Sequence, residues 1–128
     1  MNIQKKGYNI VEVTTGVRLV VGESTSVGTK QDLEELRGLI ANSGLCRVKS
    51  TVTRNGDDLE FDGVVACNLC PNGFEFHTIT YASNEVTGGS PIIFGGQFYD
   101  DNGTVKCHVT AVTVSDPTVA NTRKSTSK

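Results

Sequence analysis

The residues best suited to chemistry in this chain are Cys67 and Cys70, two thiols spaced Cys-x-x-Cys and followed at once by Pro71-Asn72-Gly73. Two thiolates at that spacing beside a tight turn make half of a zinc knuckle. A closed zinc site needs four ligands in a tetrahedron, with sulfur at about 2.3 Å from the metal. No second Cys-x-x-Cys exists, so Cys46, Cys107, His77 or His108 would have to complete the set. The spacing is irregular: one upstream thiol, and a Cys107-His108 pair whose side chains alternate across a strand. Redox catalysis would want the first cysteine at a helix N-terminus, where the helix dipole lowers its pKa, whereas this motif joins two strand-like runs. The expectation is therefore four free thiols, with Cys46 and Cys107 acting as small core residues. A zinc-stabilised binding module using Cys67, Cys70, Cys107 and Cys46 is the alternative.

Other candidate groups read more simply as structure. Asp58, Glu60 and Asp62 occupy alternate positions, as does the Arg47/Lys49 pair. Cross-strand pairing of opposite charges on a wet sheet face accounts for both better than calcium binding does. Asp100-Asp101-Asn102-Gly103 is turn chemistry. His77 and His108 have no nucleophile and supporting carboxylate that the sequence can place beside them. The segment Gly22-Glu23-Ser24-Thr25-Ser26-Val27-Gly28-Thr29-Lys30 precedes a helix but lacks the Gly-Lys-Ser/Thr order of a phosphate-binding loop. No cofactor is expected.

The elements that must carry these residues are mostly strands. Three Asn-Gly dipeptides, at Asn55-Gly56, Asn72-Gly73 and Asn102-Gly103, adjoin alternating apolar and polar runs. Such dipeptides favour type I′ hairpin turns, because both central residues need φ > 0. The pattern predicts an antiparallel meander, with Cys46, Val48 and Val52 on one face of the first strand and Arg47, Lys49 and Thr53 on the other. Leu59, Phe61 and Val65 follow, then the run from Phe74 to Tyr81, and Pro91 to Tyr99 with a bulge at Gly95-Gly96. Val105, Cys107, Val109 and Ala111 line the last strand. Upstream, the runs at 8–13 and 17–21 suggest a hairpin around Thr14-Thr15-Gly16, and 22–28 reads as a loop.

One helix is expected at 30–42, capped by Thr29 with Asp32 as its box partner and stopped by Gly44. Gly38 inside it costs about 1 kcal/mol relative to alanine, so packing must hold it. Leu33, Leu36 and Ile40 share a face that could lie on the chain's own sheet or form a short seam between copies. They are the candidate interface residues.

At 128 residues the chain can bury roughly two thirds of its unfolded surface as one domain. Residues 1–114 form that domain, and 115–128 form a small, polar, mildly basic tail unable to order itself. The expected fold is mainly β (α+β), an antiparallel sandwich or barrel of about seven strands with one amphipathic helix. A net charge of −2 provides no basic footprint for nucleic acid. No apolar run reaches the ~18 residues of a membrane span, and the first residues lack a signal peptide's apolar stretch.

A short Val/Thr/Gly-rich β body with one short helix and a polar C-terminal tail resembles small phage virion proteins, such as capsid decoration, head-fibre or tail components. The resemblance implies a non-enzymatic structural role, assembly as a homo-oligomer with other proteins of the same particle, and residence on the virion after synthesis in the host cytoplasm. A domain without a catalytic set works by presenting surface, with residues 1–21 docking on a neighbour or exchanging a hairpin with it.

Overall fold

Asn55 and Gly56 take φ of 54° and 85°, and Asn102 and Gly103 take 56° and 92°, as type I′ turns require. In the computed structural model, which describes residues 1–7, 10–78 and 92–114, these turns close two long hairpins. The first joins β5 (Leu45–Arg54) to β6 (Asp57–Cys70), and the second joins β8 (Ile92–Asp101) to β9 (Thr104–Val114). Between them lies β7 (Gly73–Thr78). The third Asn-Gly pair behaves differently. Cys70 pairs with Gly73 across a two-residue Pro71-Asn72 loop, and neither Asn72 nor Gly73 is left-handed.

Upstream are β1 (Asn2–Lys6), β2 (Ile10–Thr14), β3 (Leu19–Val20), β4 (Ser24–Thr29) and the helix α1 (Lys30–Ile40). The described strands make one sheet, in the order β1-β2-β5-β6-β7-β8-β9-β4, with β3 also on β5. It is mostly β with one helix, curled into a half-barrel. The segment after β3 bridges β5 and β9 across the curl: Val21 N–H donates to Thr53 O at 3.0 Å, while Gly22 N–H donates to Val109 O at 2.9 Å.

Three expectations for the N-terminal part are corrected. The hairpin lies between β1 and β2, not around Thr14-Thr15-Gly16. β2 and β3 both run parallel to β5, at Glu12↔Arg47 through Thr14↔Lys49 and at Leu19↔Val52. The sheet is therefore mixed rather than antiparallel. Parallel neighbours need a long crossover, which β4 and α1 supply. The segment expected to be a loop forms β4, paired with β9 from Ser24↔His108 to Thr29↔Thr104. Its Ser/Thr/Gly content hid a strand whose partner lies near the other end of the chain.

The helix forms as its ends predict. Thr29 sits outside helical space at φ −103°, its Oγ1 accepts from Asp32 N–H at 3.2 Å, and Asp32 Oδ2 accepts from Thr29 N–H at 2.9 Å. Gly44, at φ 71°, donates its N–H to Ile40 O at 2.7 Å and ends the helix. Thr29→Ala is expected to cost about 1 kcal/mol, with Thr29→Ser restoring most of it. Urea unfolding of the two variants measures this. Leu33, Leu36 and Ile40 are buried in the core, where α1 packs against β2, β4, β7, β8 and β9. The face proposed as an interface is thus the chain's own core, since a sheet curled around one helix needs that helix's apolar stripe to fill its interior.

All five phenylalanines join in that interior. Phe61 stacks on Phe94 at 4.2 Å, Phe94 meets Phe76 at 5.1 Å, Phe76 meets Phe98 at 5.2 Å, and Phe98 stacks on Phe74 at 4.9 Å. The string ties β6, β7 and β8 together. Ile79 to Tyr81 of the expected strand and the expected tail at 115–128 lie outside the described residues, as does the side chain of Ala111.

Candidate functional site

The outer face of the sheet divides into two chemically different halves. Over β2, β5 and β6 the polar groups are spent on one another. Register sets Lys49 opposite Asp62, Thr51 opposite Glu60 and Thr53 opposite Asp58. Arg47 makes a two-pronged contact with Asp62, Nε to Oδ1 at 2.7 Å and Nη2 to Oδ2 at 3.0 Å. That hydrogen bond, then the Asp62 charge, raises the Arg47 pKa. Lys49 reaches Glu12 at 3.5 Å and Arg18 reaches Asp58 at 3.0 Å. Thr51 donates to both Glu60 oxygens, and Thr53 to Asp58 at 2.6 Å. This is the cross-strand pairing expected from Asp58, Glu60 and Asp62. Each exposed pair contributes at most ~1 kcal/mol, so the network sets register more than it sets stability.

A cleft of about 590 Å³ opens in this half where β2 leaves β5 and β3 has yet to join it. Buried Thr15 lies in it, its hydroxyl 2.6 Å from that of Ser50, and Lys49, Glu60 and Asp62 are among its walls. Those polar groups already have partners.

Around Gly95, at the middle of β6 to β9, the situation reverses. A depression of about 450 Å³ is lined by Asn68, Glu75, His77, Gln97 and Thr110, with half-exposed Ile93 at its rim. Its floor is Gly95. A Cβ there would meet only ordinary contacts, Phe76 O at 3.5 Å and His77 Cβ at 3.9 Å, and the residue is not left-handed. Neither sterics nor φ requires glycine, so its effect is to leave the outer face open. None of the five polar side chains is hydrogen-bonded to another described side chain. The sequence placed a bulge at Gly95-Gly96, which the register confirms, but the depression depends on partners from three strands.

Beside it, Tyr99 OH donates to Ser24 Oγ at 2.7 Å, and Ser24 Oγ lies 3.0 Å from His108 Nδ1. A serine against an imidazole has the parts of a nucleophile and base. The sequence does not bring this pair together, because Ser24 to Ser26 have loop composition and meet His108 only through the pairing of β4 with β9. Among the described residues no carboxylate hydrogen-bonds to His108, so the triad logic is incomplete. The trio fastens β4 to β8 and β9. His77 and His108 do not pair, because β8 runs between their strands.

The four cysteines do not assemble as the zinc alternative requires. Cys67 and Cys70 are three apart on a strand of unbroken register, so their side chains project to opposite faces. Cys67 packs against the core beside Cys46, whereas Cys107 lies buried on β9 opposite Phe98. Burial pushes the Cys107 thiol up to about 12. Among the described residues, no three His, Cys, Asp or Glu side chains converge. Cys46 and Cys107 are the small core residues expected.

Among the described residues, no helix is long and apolar enough to cross a membrane. Comparison with family models, curated proteins and solved structures finds no match.

Proposed function

We propose that this chain is a non-enzymatic assembly protein that works through protein–protein contacts, as a phage virion component of the capsid-decoration, head-fibre or tail kind. The observation that carries the reading is strand β1. It ends the sheet, pairs only with β2 among the described residues, and exposes four of its five residues, Ile3 alone turning to the core. A strand with one bare edge is a template for another chain: main-chain hydrogen bonds supply affinity, and side chains set which partner fits. Lys5 and Lys6 blunt indiscriminate pairing and leave Asn2, Ile3 and Gln4 as the segment a neighbour would engage. The open outer face around Gly95 offers amide, hydroxyl and imidazole groups that no other described side chain engages to the same kind of contact.

The test is native mass by light scattering across a concentration series. Wild type is expected to run above its 13.7 kDa monomer mass, and Asn2→Lys/Gln4→Lys to remain monomeric with an unchanged circular dichroism spectrum. A wild-type chain that stays monomeric at every concentration removes self-assembly, and equal masses for both proteins remove the β1 edge.

A further inference from the structure

We propose that Cys46 and Cys67 form a dithiol that closes reversibly to a disulfide across β5 and β6, making Cys67 a site of thiol modification. The sequence draws attention to Cys67 and Cys70, but the sheet gives Cys67 a different partner. Cys46 pairs with Val65, and Cys67 lies two residues further along β6 on the same inward face. Both thiols are free and belong to one hydrophobic cluster, Cys46 within it and Cys67 against it. They differ in access: Cys46 is 1% exposed, whereas Cys67 is half-buried and reaches solvent. Proximity to the Cys67 thiol, then burial, raises the Cys46 pKa strongly, while the two thiols themselves donate to backbone carbonyls, Cys46 Sγ to Arg47 O at 3.6 Å and Cys67 Sγ to Val65 O at 3.9 Å.

These differences assign the order of events. With a small-molecule disulfide such as oxidised glutathione as oxidant, the Cys67 thiolate attacks one sulfur. The glutathione thiolate leaves and takes up the proton that Cys67 released. Cys46 then loses its proton and attacks Cys67 Sγ, and a second glutathione thiol departs. Two protein thiols are oxidised and one glutathione disulfide is reduced to two thiols. The second step is the slow one, because Cys46 ionises reluctantly. Its rate should rise about tenfold per pH unit while the pH stays below the Cys46 pKa.

Diagonal neighbours on an antiparallel pair have Cα atoms roughly 7–8 Å apart, at or beyond the upper end of what a disulfide spans. Closure therefore draws the strands together locally. The place suits such a shift: Cys67 N–H donates to Gly44 O at 2.8 Å, where the chain passes from α1 into β5. A crosslink under that strain is readily reduced, so it behaves as a reversible lock on the start of β5.

The experiment exposes the full-length chain to oxidised glutathione at about pH 8.5 and follows intact mass and peptide maps. The expected product has lost two hydrogens, links the Cys46 and Cys67 peptides, and reverts with dithiothreitol. Cys70→Ser should close at the wild-type rate. Cys46→Ser should stop at a stable glutathione adduct on Cys67, and Cys67→Ser should form no internal disulfide. A Cys67–Cys70 link, a Cys67 adduct that persists in wild type, or a Cys67 that takes up no glutathione would each overturn the proposal. Should Cys46→Ser fail to fold, the wild-type map and Cys67→Ser still decide it.

Discussion

Phe94→Ala is expected to lower the unfolding free energy by about 3–5 kcal/mol, a large part of the ~5–15 kcal/mol that domains of this kind possess. Phe94 is fully buried and touches two other rings, stacking on Phe61 and tilted against Phe76. It links Phe61 of β6 to Phe76 of β7, so truncation leaves a cavity that β6 on one side and β7 on the other would both have to move to fill. Rigid strands close such gaps poorly, which places this site toward the costly end of the range. Neighbouring Ile93 points to the outer face and is half-exposed, so Ile93→Ala should change stability by no more than ~0.5 kcal/mol. Urea unfolding with the m-value held constant separates the two outcomes. Equal effects would mean that the string does not hold the sheet.

What could be read from the sequence follows a physical rule: local signals survived and distant pairings did not. The Thr29–Asp32 box and the Gly44 stop lie within a few residues of the helix they bound, and they form as expected. The alternation of Cys46, Val48 and Val52 with Arg47 and Lys49 reports its own burial, and Asp58, Glu60 and Asp62 follow across one short turn. Charge pairing on that face could thus be anticipated before any coordinates. β4 could not, because Ser24-Thr25-Ser26 has loop composition and becomes a strand only when β9 supplies its partner. The parallel placement of β2 and β3 on β5 leaves no mark on either segment. It arises because the β4–α1 crossover must return the chain to the same edge.

The candidate site divides in the same way. Each lining residue of the Gly95 depression looks unremarked in isolation, and only the pairing of β6, β7, β8 and β9 brings Asn68, His77, Gln97 and Thr110 around one glycine. Ser24 and His108 meet for the same reason. The cysteines show the opposite hazard. Cys67 and Cys70 are close in sequence and suggest a joint role, yet an odd offset along a strand sends them to opposite faces. Cys46, remote in sequence, is the thiol that Cys67 meets.

Gly73→Ala should be the most damaging change of a single methyl in the molecule. The Asn72-Gly73 dipeptide suggests a turn glycine chosen for positive φ, and the structure gives it another task. A Cβ at Gly73 would collide with Phe98 O, and would lie 2.8 Å from Tyr99 Cα and 2.9 Å from Phe98 C. All three are backbone atoms, so no side chain can swing aside. β7 and β8 would have to separate where Phe74 stacks on Phe98 at 4.9 Å and where Asp100 N–H donates to Asn72 O at 2.8 Å. Overpacking of this kind costs about 1–3 kcal/mol, and each ladder bond lost adds ~1 more. A total near 4 kcal/mol, or failure to fold, is expected. Two companions make the cause readable. Gly95→Ala adds the same methyl where only ordinary contacts await it, and should fall within ~1 kcal/mol of wild type. Asn72→Ala should be nearly silent, because Asn72 is not left-handed, whereas in a type I′ turn it would lose a favoured residue. If instead Asn72→Ala and Gly73→Ala cost similar small amounts, Gly73 serves the turn after all, and the close approach of β7 to β8 is not what fixes its identity.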